Sequence, residues 1–247
     1  MSEINLPWLD PSDENSEFPP ARDALKDPEG LVAAGGDLSP TRLLRAYHEG
    51  IFPWYEKDQP ILWWSPDPRG IIYPKKFIAH KRLLRTLKNK AWRITYDQAF
   101  TDVMKACAEP RSTSRGTWIT LDMLQAYTLL HRLGHAHSVE VWDHNNTLVG
   151  GIYGIAIGTI FFGESMFSRE TDTSKIALLH LCAYLDSWGY KIVDTQLGSK
   201  HLFSLGGMEV SRDEYLNMLP TFTQAPINPD AWCKDYPLDL QDWLNHR

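Results

Sequence analysis

The stretch HSVEVWDHNNTLVGGIYGIAIGTIFFGESMF, residues 137–167, decides the fold. Its neighbours on both sides read as helix, whereas here the hydrophobic period drops to two. HSVEVWD alternates apolar and polar positions, HNN is a turn, and TLVGGIYGIAIG and TIFFGESMF follow as two more strands. Together they spell a three-stranded antiparallel meander. LDMLQAYTLLHRL precedes it as a helix capped by Thr120 and closed by Gly134. A helix over Thr173–Trp188, with Asp172 or Thr173 as cap, comes after it and leads into the strand KIVDTQL. Meander, helix and a further strand give an α+β protein, a mixed sheet with flanking helices.

Working back towards the N-terminus, a strand is expected around Arg93–Tyr96 and a helix over Gln98–Ala108, followed by the polar loop EPRSTSRGTWIT. The first 70 residues read as a small N-terminal domain rich in turns and aromatics. Within it, Ser39 is a natural N-cap, Pro40 suits the first helical position and Gly50 ends the last turn. Trp54, Trp63 and Trp64 lie among prolines, a stiff segment suited to lining a groove. Residues 71–247 read as a second, larger domain. It carries a short helix at Arg212–Met218 and ends in a tail rich in Pro and Trp.

Composition excludes several classes. The chain has 247 residues and a formal net charge of −6, which disfavours a generic nucleic-acid binder. No window approaches the roughly 18 apolar residues of a membrane span. Cys107, Cys182 and Cys233 are few and far apart, forming neither a disulfide framework nor a zinc pattern. A soluble cytoplasmic protein is expected, with no membrane partner and no cofactor. The charge is unevenly spread, however. KKFIAHKRLLRTLKNKAWR, residues 75–93, holds eight Lys or Arg and no acid. Lys81, Arg85 and Lys88 fall at i, i+4, i+7, with Arg82 beside them, and Leu83, Leu84 and Leu87 supply an apolar side. Such a face fits either an ordinary solvated helix or a phosphate backbone.

Two places could carry chemistry. In KIVDTQL, Asp194 and Gln196 are two apart on a strand, so both are expected to face one way. A carboxylate beside an amide can position an amine and relay its proton, or can simply brace a loop. Glu164 is the other. It follows Gly163, where a bulge is plausible, so counting cannot fix its direction. Ile152, Phe161, Phe162, Ser165 and Met166 are the candidate lining of an apolar substrate pocket around it. A strand-end ion pair explains Glu164 as well as a pocket rim does. Trp118 fits either core or a base-stacking platform. His131, His135 and His137 lack a completing ligand and sit across a helix break, so no metal is expected.

The order of elements resembles the acyltransferase fold of the GNAT superfamily. Its usual glycine-rich pyrophosphate loop is missing, because the junction reads FSRETDTSK. An acyl-CoA-dependent N-acetyltransferase and a non-catalytic tRNA-binding module are therefore the rival readings. The segments GGDLSP, GIFPW, WWSPDPR, GTWIT, GHAHSVEVW, LVGGIYG, GESMFS and SLGGMEVSR occur in that order. As an ordered set they resemble the bacterial leucyl/phenylalanyl-tRNA–protein transferases. The resemblance implies transfer of Leu or Phe, possibly Met, from aminoacyl-tRNA to acceptor proteins with an N-terminal Arg or Lys, marking them for N-end-rule degradation. It implies catalytic roles for Asp194, Gln196 and Glu164. It also implies that Trp54 and Trp118 bind the 3′ aminoacyl-adenosine. The basic helix with Lys81, Arg82, Arg85 and Lys88 would then hold the tRNA acceptor stem. Thr195 and the segment LGSKHLFSLG depart from the family's usual spelling, which bears on fine specificity.

Overall fold

A computed structural model describes residues 6–109, 118–233 and 236–246 of the chain. The strands are β1 (Trp8–Leu9), β2 (Leu31–Gly35), β3 (Phe52–Pro53), β4 (Leu62–Trp64), β5 (Arg69–Ile72), β6 (Arg93–Tyr96), β7 (Ala136–Trp142), β8 (Leu148–Ile157), β9 (Ile160–Ser168), β10 (Ile192–Gln196) and β11 (Met208–Val210). The helices are α1 (Pro40–His48), α2 (Lys81–Asn89), α3 (Phe100–Ala108), α4 (Leu121–Arg132), α5 (Thr173–Ser187), α6 (Lys200–Ser204), α7 (Arg212–Thr223) and α8 (Leu240–His246).

The meander is present as β7, β8 and β9, all antiparallel. Its turns show why the chain reverses there. Asp143 accepts the backbone N–H groups of Asn145 and Thr147, and Asn146 takes a positive φ. At the second turn Gly158 has φ +53, and a Cβ there would lie 2.3 Å from the Phe222 carbonyl oxygen. α5 then carries the chain back so that β10 pairs with β9 in parallel, which a tight turn cannot do. The full sheet has seven strands in the order β11-β5-β10-β9-β8-β7-β6. It is mixed, as the period reading implied.

Alternation sorts the core onto two faces. Phe161, Val193, Val139 and Ile152 pack with α5, while Phe162, Tyr153 and Ile155 pack with α3, α4 and the N-terminal elements. α5 is apolar nearly all round because β7 to β9 cover one side and the C-terminal tail covers another. Each of its fully buried Leu and Ile side chains contributes roughly 1.5–3 kcal/mol. The tail seats Trp232 flat against His137, and Trp243 donates its indole N–H to Asp186.

The N-terminal part forms a four-stranded sheet ordered β1-β2-β4-β3. Arg42 on α1 is fully buried and pins the preceding segment, reaching Asp37, the Ser16 hydroxyl and the carbonyls of Asp10 and Asp13. Ser39 caps α1 and Thr120 caps α4, each accepting a backbone N–H three residues on. β5 follows directly yet belongs to the larger sheet, between β10 and β11. One apolar cluster runs from Leu9 and Trp63 through Tyr47 to Phe100 and Phe162, so the two sheets share a core.

Some elements differ from the sequence reading. α3 begins at Phe100 rather than Gln98. α7 runs on to Thr223 through Pro220. α6 and β11 are too short to show a period, and were not anticipated. Asp172 stands at the α5 N-cap with a left-handed backbone and makes no capping hydrogen bond. Its carboxylate goes instead to Lys175 and Arg82. Most of the loop before Trp118 lies outside the described residues.

Candidate active site

Two neighbouring strands carry an extra residue at the same level. Along β8 and β9, Tyr153 faces Ser165 and Gly154 faces Gly163, so Glu164 is the unpaired residue of a bulge. Between β10 and β5, Asp194 faces Ile71 and Gln196 faces Gly70, which leaves Thr195 over. β9 and β10 pair only as far as Phe162 and Asp194, and then part. Bulges bend a strand and re-aim its side chains. Here they split the sheet.

Two cavities occupy the split. The wider, about 260 Å³, is walled by Phe52, Pro53, Trp54, Trp118 and Leu197. The smaller, about 120 Å³, is lined by Ile152, Ser165, Met166, Leu178 and Leu202. Glu164, Thr195 and Gln196 belong to both, so the cavities meet there. Of the expected apolar lining, Ile152, Ser165 and Met166 are in place. Phe161 and Phe162 are not: both are fully buried, one on each face of the sheet, beneath the cavities. They lie before the bulge, where alternation still drives them into the core.

Asp194 is also placed differently from its expected facing. It is fully buried and turns away from the cavities. Arg69 donates to both of its oxygens, at 2.9 and 2.7 Å, and the Tyr215 hydroxyl and the Gln196 backbone N–H donate at 2.5 and 2.9 Å. Burial opposes the Arg69 charge, yet the Asp194 carboxylate beside it holds its pKa above the ordinary arginine value. Arg69 also donates to the Gly50 carbonyl and lies over the rings of Phe52 and Tyr215. With four donors on its two oxygens, Asp194 has no lone pair directed at a substrate amine. Gln196 does reach the cavities, because the Thr195 bulge breaks the alternation between them. Its φ is +55, a strained value for a residue with a Cβ, held by the N–H bond to Asp194. Its side-chain Nε2 is buried with no hydrogen-bond partner among the described residues.

Glu164 sits against two tyrosines rather than a cation. Tyr47 donates to one carboxyl oxygen at 2.7 Å and Tyr127 to the other at 3.2 Å, and the two hydroxyls are 2.5 Å apart. Two hydroxyl protons cannot serve three such contacts, whereas a protonated Glu164 closes the ring. The carboxyl's pKa agrees. Burial raises it to about 7, against the Tyr47 and Tyr127 hydrogen bonds that lower it, with Asp194 raising it and Arg69 lowering it further. The folded state therefore holds this proton more tightly than the unfolded chain does. The stabilisation is complete below about pH 4.5 and is lost as pH rises through 7. Because Glu164 opens onto both cavities, water screens part of the penalty, and the loss is at most about 3 kcal/mol. Glu164→Gln is expected to flatten denaturant midpoints between pH 4.5 and 8. An unchanged pH slope in that variant would place the titration elsewhere.

Sequence reasoning found Glu164 and Gln196 but missed Arg69, Tyr215, Tyr47 and Tyr127. Arg69 ends WWSPDPR, but its partner lies 125 residues on. The tyrosines occupy inward faces of α1, α4 and α7 and look like core.

Trp54 is 45% exposed and tilts against Trp64, leaving a flat indole on the wall of the wider cavity, which Trp118 also lines. On α2, Leu83 is buried, whereas Lys81, Arg82, Arg85 and Lys88 are exposed. Arg82 pairs with Asp172; Lys81, Arg85 and Lys88 have no acid partner among the described residues. α2 packs on α5, whose Leu178 lines the smaller cavity. Of the three histidines, His131 bonds the Ala136 carbonyl and His137 bonds Asp97. Among the described residues no group of three His, Cys, Asp or Glu is placed to hold a metal ion, and no helix is long and apolar enough to cross a membrane.

Fold and site together define an α+β protein with a two-chambered cleft, opened where adjacent strands of a mixed sheet separate. A profile of the leucyl/phenylalanyl-tRNA protein transferases matches residues 71–220, and that of their N-terminal domain matches residues 36–67. The chain belongs to this family. It is 49% identical to a leucyl/phenylalanyl-tRNA–protein transferase from Cellvibrio japonicus, covering 94% of this chain and 95% of that one. A protein of the same name from Hahella chejuensis is 55% identical over 90% of this chain and 94% of its own. A third, from Aromatoleum aromaticum, is 51% identical over 92% and 94%.

Proposed function

We propose that this protein moves a leucyl or phenylalanyl group from its tRNA to the N-terminal amine of acceptor proteins that begin with Arg or Lys. The relatives' names support this reading. The meeting of the two cavities at Glu164, Thr195 and Gln196 is the observation that carries it. The smaller, apolar cavity suits a Leu or Phe side chain, and the wider one offers Trp54 and Trp118 to the terminal adenosine. The ester joining the two halves of the donor then falls beside Gln196. The acceptor nitrogen forms the new C–N bond there, the ester C–O bond breaks, and the released ribose hydroxyl takes up a proton. The ester is already activated, so orientation alone supplies much of the acceleration, up to about 7–11 kcal/mol in well-aligned cases.

This assignment changes the roles of two carboxylates. Asp194, once expected to take the amine proton, is a positioning residue: with Arg69 and Tyr215 it fixes the Gln196 backbone. Glu164 handles the proton, because it opens onto both cavities and titrates near neutrality. The acyl-CoA alternative meets acidic Glu170 and Asp172 where a pyrophosphate would lie, at the start of α5. Charged tRNA as substrate places the protein in the cytoplasm, and the product enters N-end-rule degradation.

Phe-tRNA binding tests the donor half of this reading. It is expected to quench tryptophan fluorescence, and Trp54→Ala with Trp118→Ala is expected to weaken binding by 1–3 kcal/mol per stacked base, roughly. Equal affinity for charged tRNA in that double variant would remove the adenosine from the wider cavity. Lys81, Arg85 and Lys88 track the acceptor stem. Replacing all three with Ala is expected to reduce the slope of log K against log salt by about 2, with little change in the rate of transfer at saturation. An undiminished slope would return α2 to an ordinary solvated helix.

A further inference from the structure

β11 is the outer strand of the seven-stranded sheet and pairs only with β5. Its register sets Glu209 opposite Gly70, and Gly70 in turn stands opposite Gln196 on β10. One row therefore crosses three strands, from a residue that both cavities share to an exposed acid, with a glycine at the middle position and the Thr195 hydroxyl set against it. The chain beyond Gln196 folds over this gap: a Cβ on Gly70 would lie 2.6 Å from the Leu197 carbonyl carbon. Gly198 then lets the Glu209 carboxylate lie directly on that loop, since a Cβ at Gly198 would lie 2.2 Å from Oε1 of Glu209. Leu197, the preceding residue, walls the wider cavity.

The Glu209 carboxylate meets no cation and no hydrogen-bond donor among the described residues. The other two carboxylates near the cleft are committed. Asp194 is saturated by Arg69, Tyr215 and the Gln196 N–H, and Glu164, bonded to Tyr47 and Tyr127, is given over to the proton of the reaction. Glu209 is the acid left to receive a positive group. We infer that Glu209 is the specificity residue for the acceptor, pairing with the cationic side chain of its first residue while the α-amine lies at Gln196. The assignment rests on the proposed transfer reaction and deepens it.

The spacing fits. Two strand separations put the Cα atoms of Gln196 and Glu209 roughly 10 Å apart. An extended Lys or Arg side chain spans roughly 6–7 Å from its Cα, and the glutamate supplies the remainder. The free outer edge of β11 leaves the rest of the acceptor chain room to depart. A carboxylate can serve an ammonium or a guanidinium equally, so the geometry selects charge and length rather than one residue type.

Steady-state transfer from Phe-tRNA to two peptides, one beginning with Arg and one with citrulline, tests this directly, because citrulline keeps the shape of Arg and removes its charge. The wild-type protein is expected to favour Arg at least tenfold in kcat/KM, through the acceptor KM. In Glu209→Gln that preference is expected to fall below twofold, while the KM for Phe-tRNA stays unchanged and reports an intact donor site. Glu209→Lys is expected to shift preference towards a peptide beginning with Asp. A wild-type Arg preference retained in Glu209→Gln would overturn the assignment. Transfer by the wild type that ignores the charge of the first residue would overturn it too. No transfer to any peptide would instead bring down the reaction itself, and the assignment with it.

Discussion

Asp194→Ala is expected to lower the stability of the folded protein by about 3–5 kcal/mol, measured as the shift in urea midpoint at pH 7. Removing one member of a fully buried ion pair leaves the other charged and unmatched. Here the stranded group is Arg69, which is wholly buried and keeps only the Gly50 carbonyl, two ring faces and the Tyr215 hydroxyl. Tyr215 and the Gln196 N–H lose their acceptor at the same time. The double replacement Arg69→Met with Asp194→Leu removes both charges and is expected to recover most of the loss, since apolar substitution of a buried pair is often near neutral. Transfer should not recover with it, because nothing then fixes the backbone at Gln196. A double variant that regains both stability and activity would show the pair to be structural only.

Gln196→Ala is expected to reduce kcat for transfer by about a hundredfold and to leave Phe-tRNA affinity within about twofold, the range seen when one hydrogen-bonding group at a reacting centre is removed. The amide lies where the cavities meet, with a buried nitrogen that has no partner among the described residues, so its bonding is incomplete until substrate arrives. Its backbone offers a second, independent reading. At φ +55 a side chain costs about 1–2 kcal/mol that glycine does not. Gln196→Gly is therefore expected to be at least as stable as wild type while losing transfer as Ala does. Stability gained with activity lost is the mark of strain kept for function. Wild-type turnover in either variant would take the amide out of the reaction.

The parts of this protein that were legible in its sequence are those governed by local periodicity. β7 to β9 announce themselves by alternation and tight turns, and α2 by cations at i, i+4, i+7 above a leucine side. α1 and α4 are marked by Ser39 and Thr120, whose caps are formed as expected. What escaped is non-local or irregular. The two bulges place Glu164 and Gln196 in the cleft, and a bulge depends on the pairing partner, which a single strand does not reveal. Alternation therefore misdirected Asp194 into the cleft, and nearness to Glu164 along the chain, rather than alternation, put Phe161 and Phe162 in its wall. The Arg69–Asp194 pair joins residues 125 apart. Tyr47 and Tyr127 become a proton-holding pair only once α1 and α4 pack together over Glu164. β11 is three residues long, too short for any period, yet it carries Glu209, which has no partner among the described residues.

The central claim is that an aminoacyl group leaves tRNA for a protein N-terminus at the junction of the two cavities. The most direct measurement incubates the protein with Phe-tRNA labelled in the phenylalanine and a peptide beginning with Arg, and follows the label. The account predicts label in the peptide, attached to its α-amine, in wild type but not in Gln196→Ala. Intact Phe-tRNA at the end of the incubation, with no label in the peptide, would contradict it.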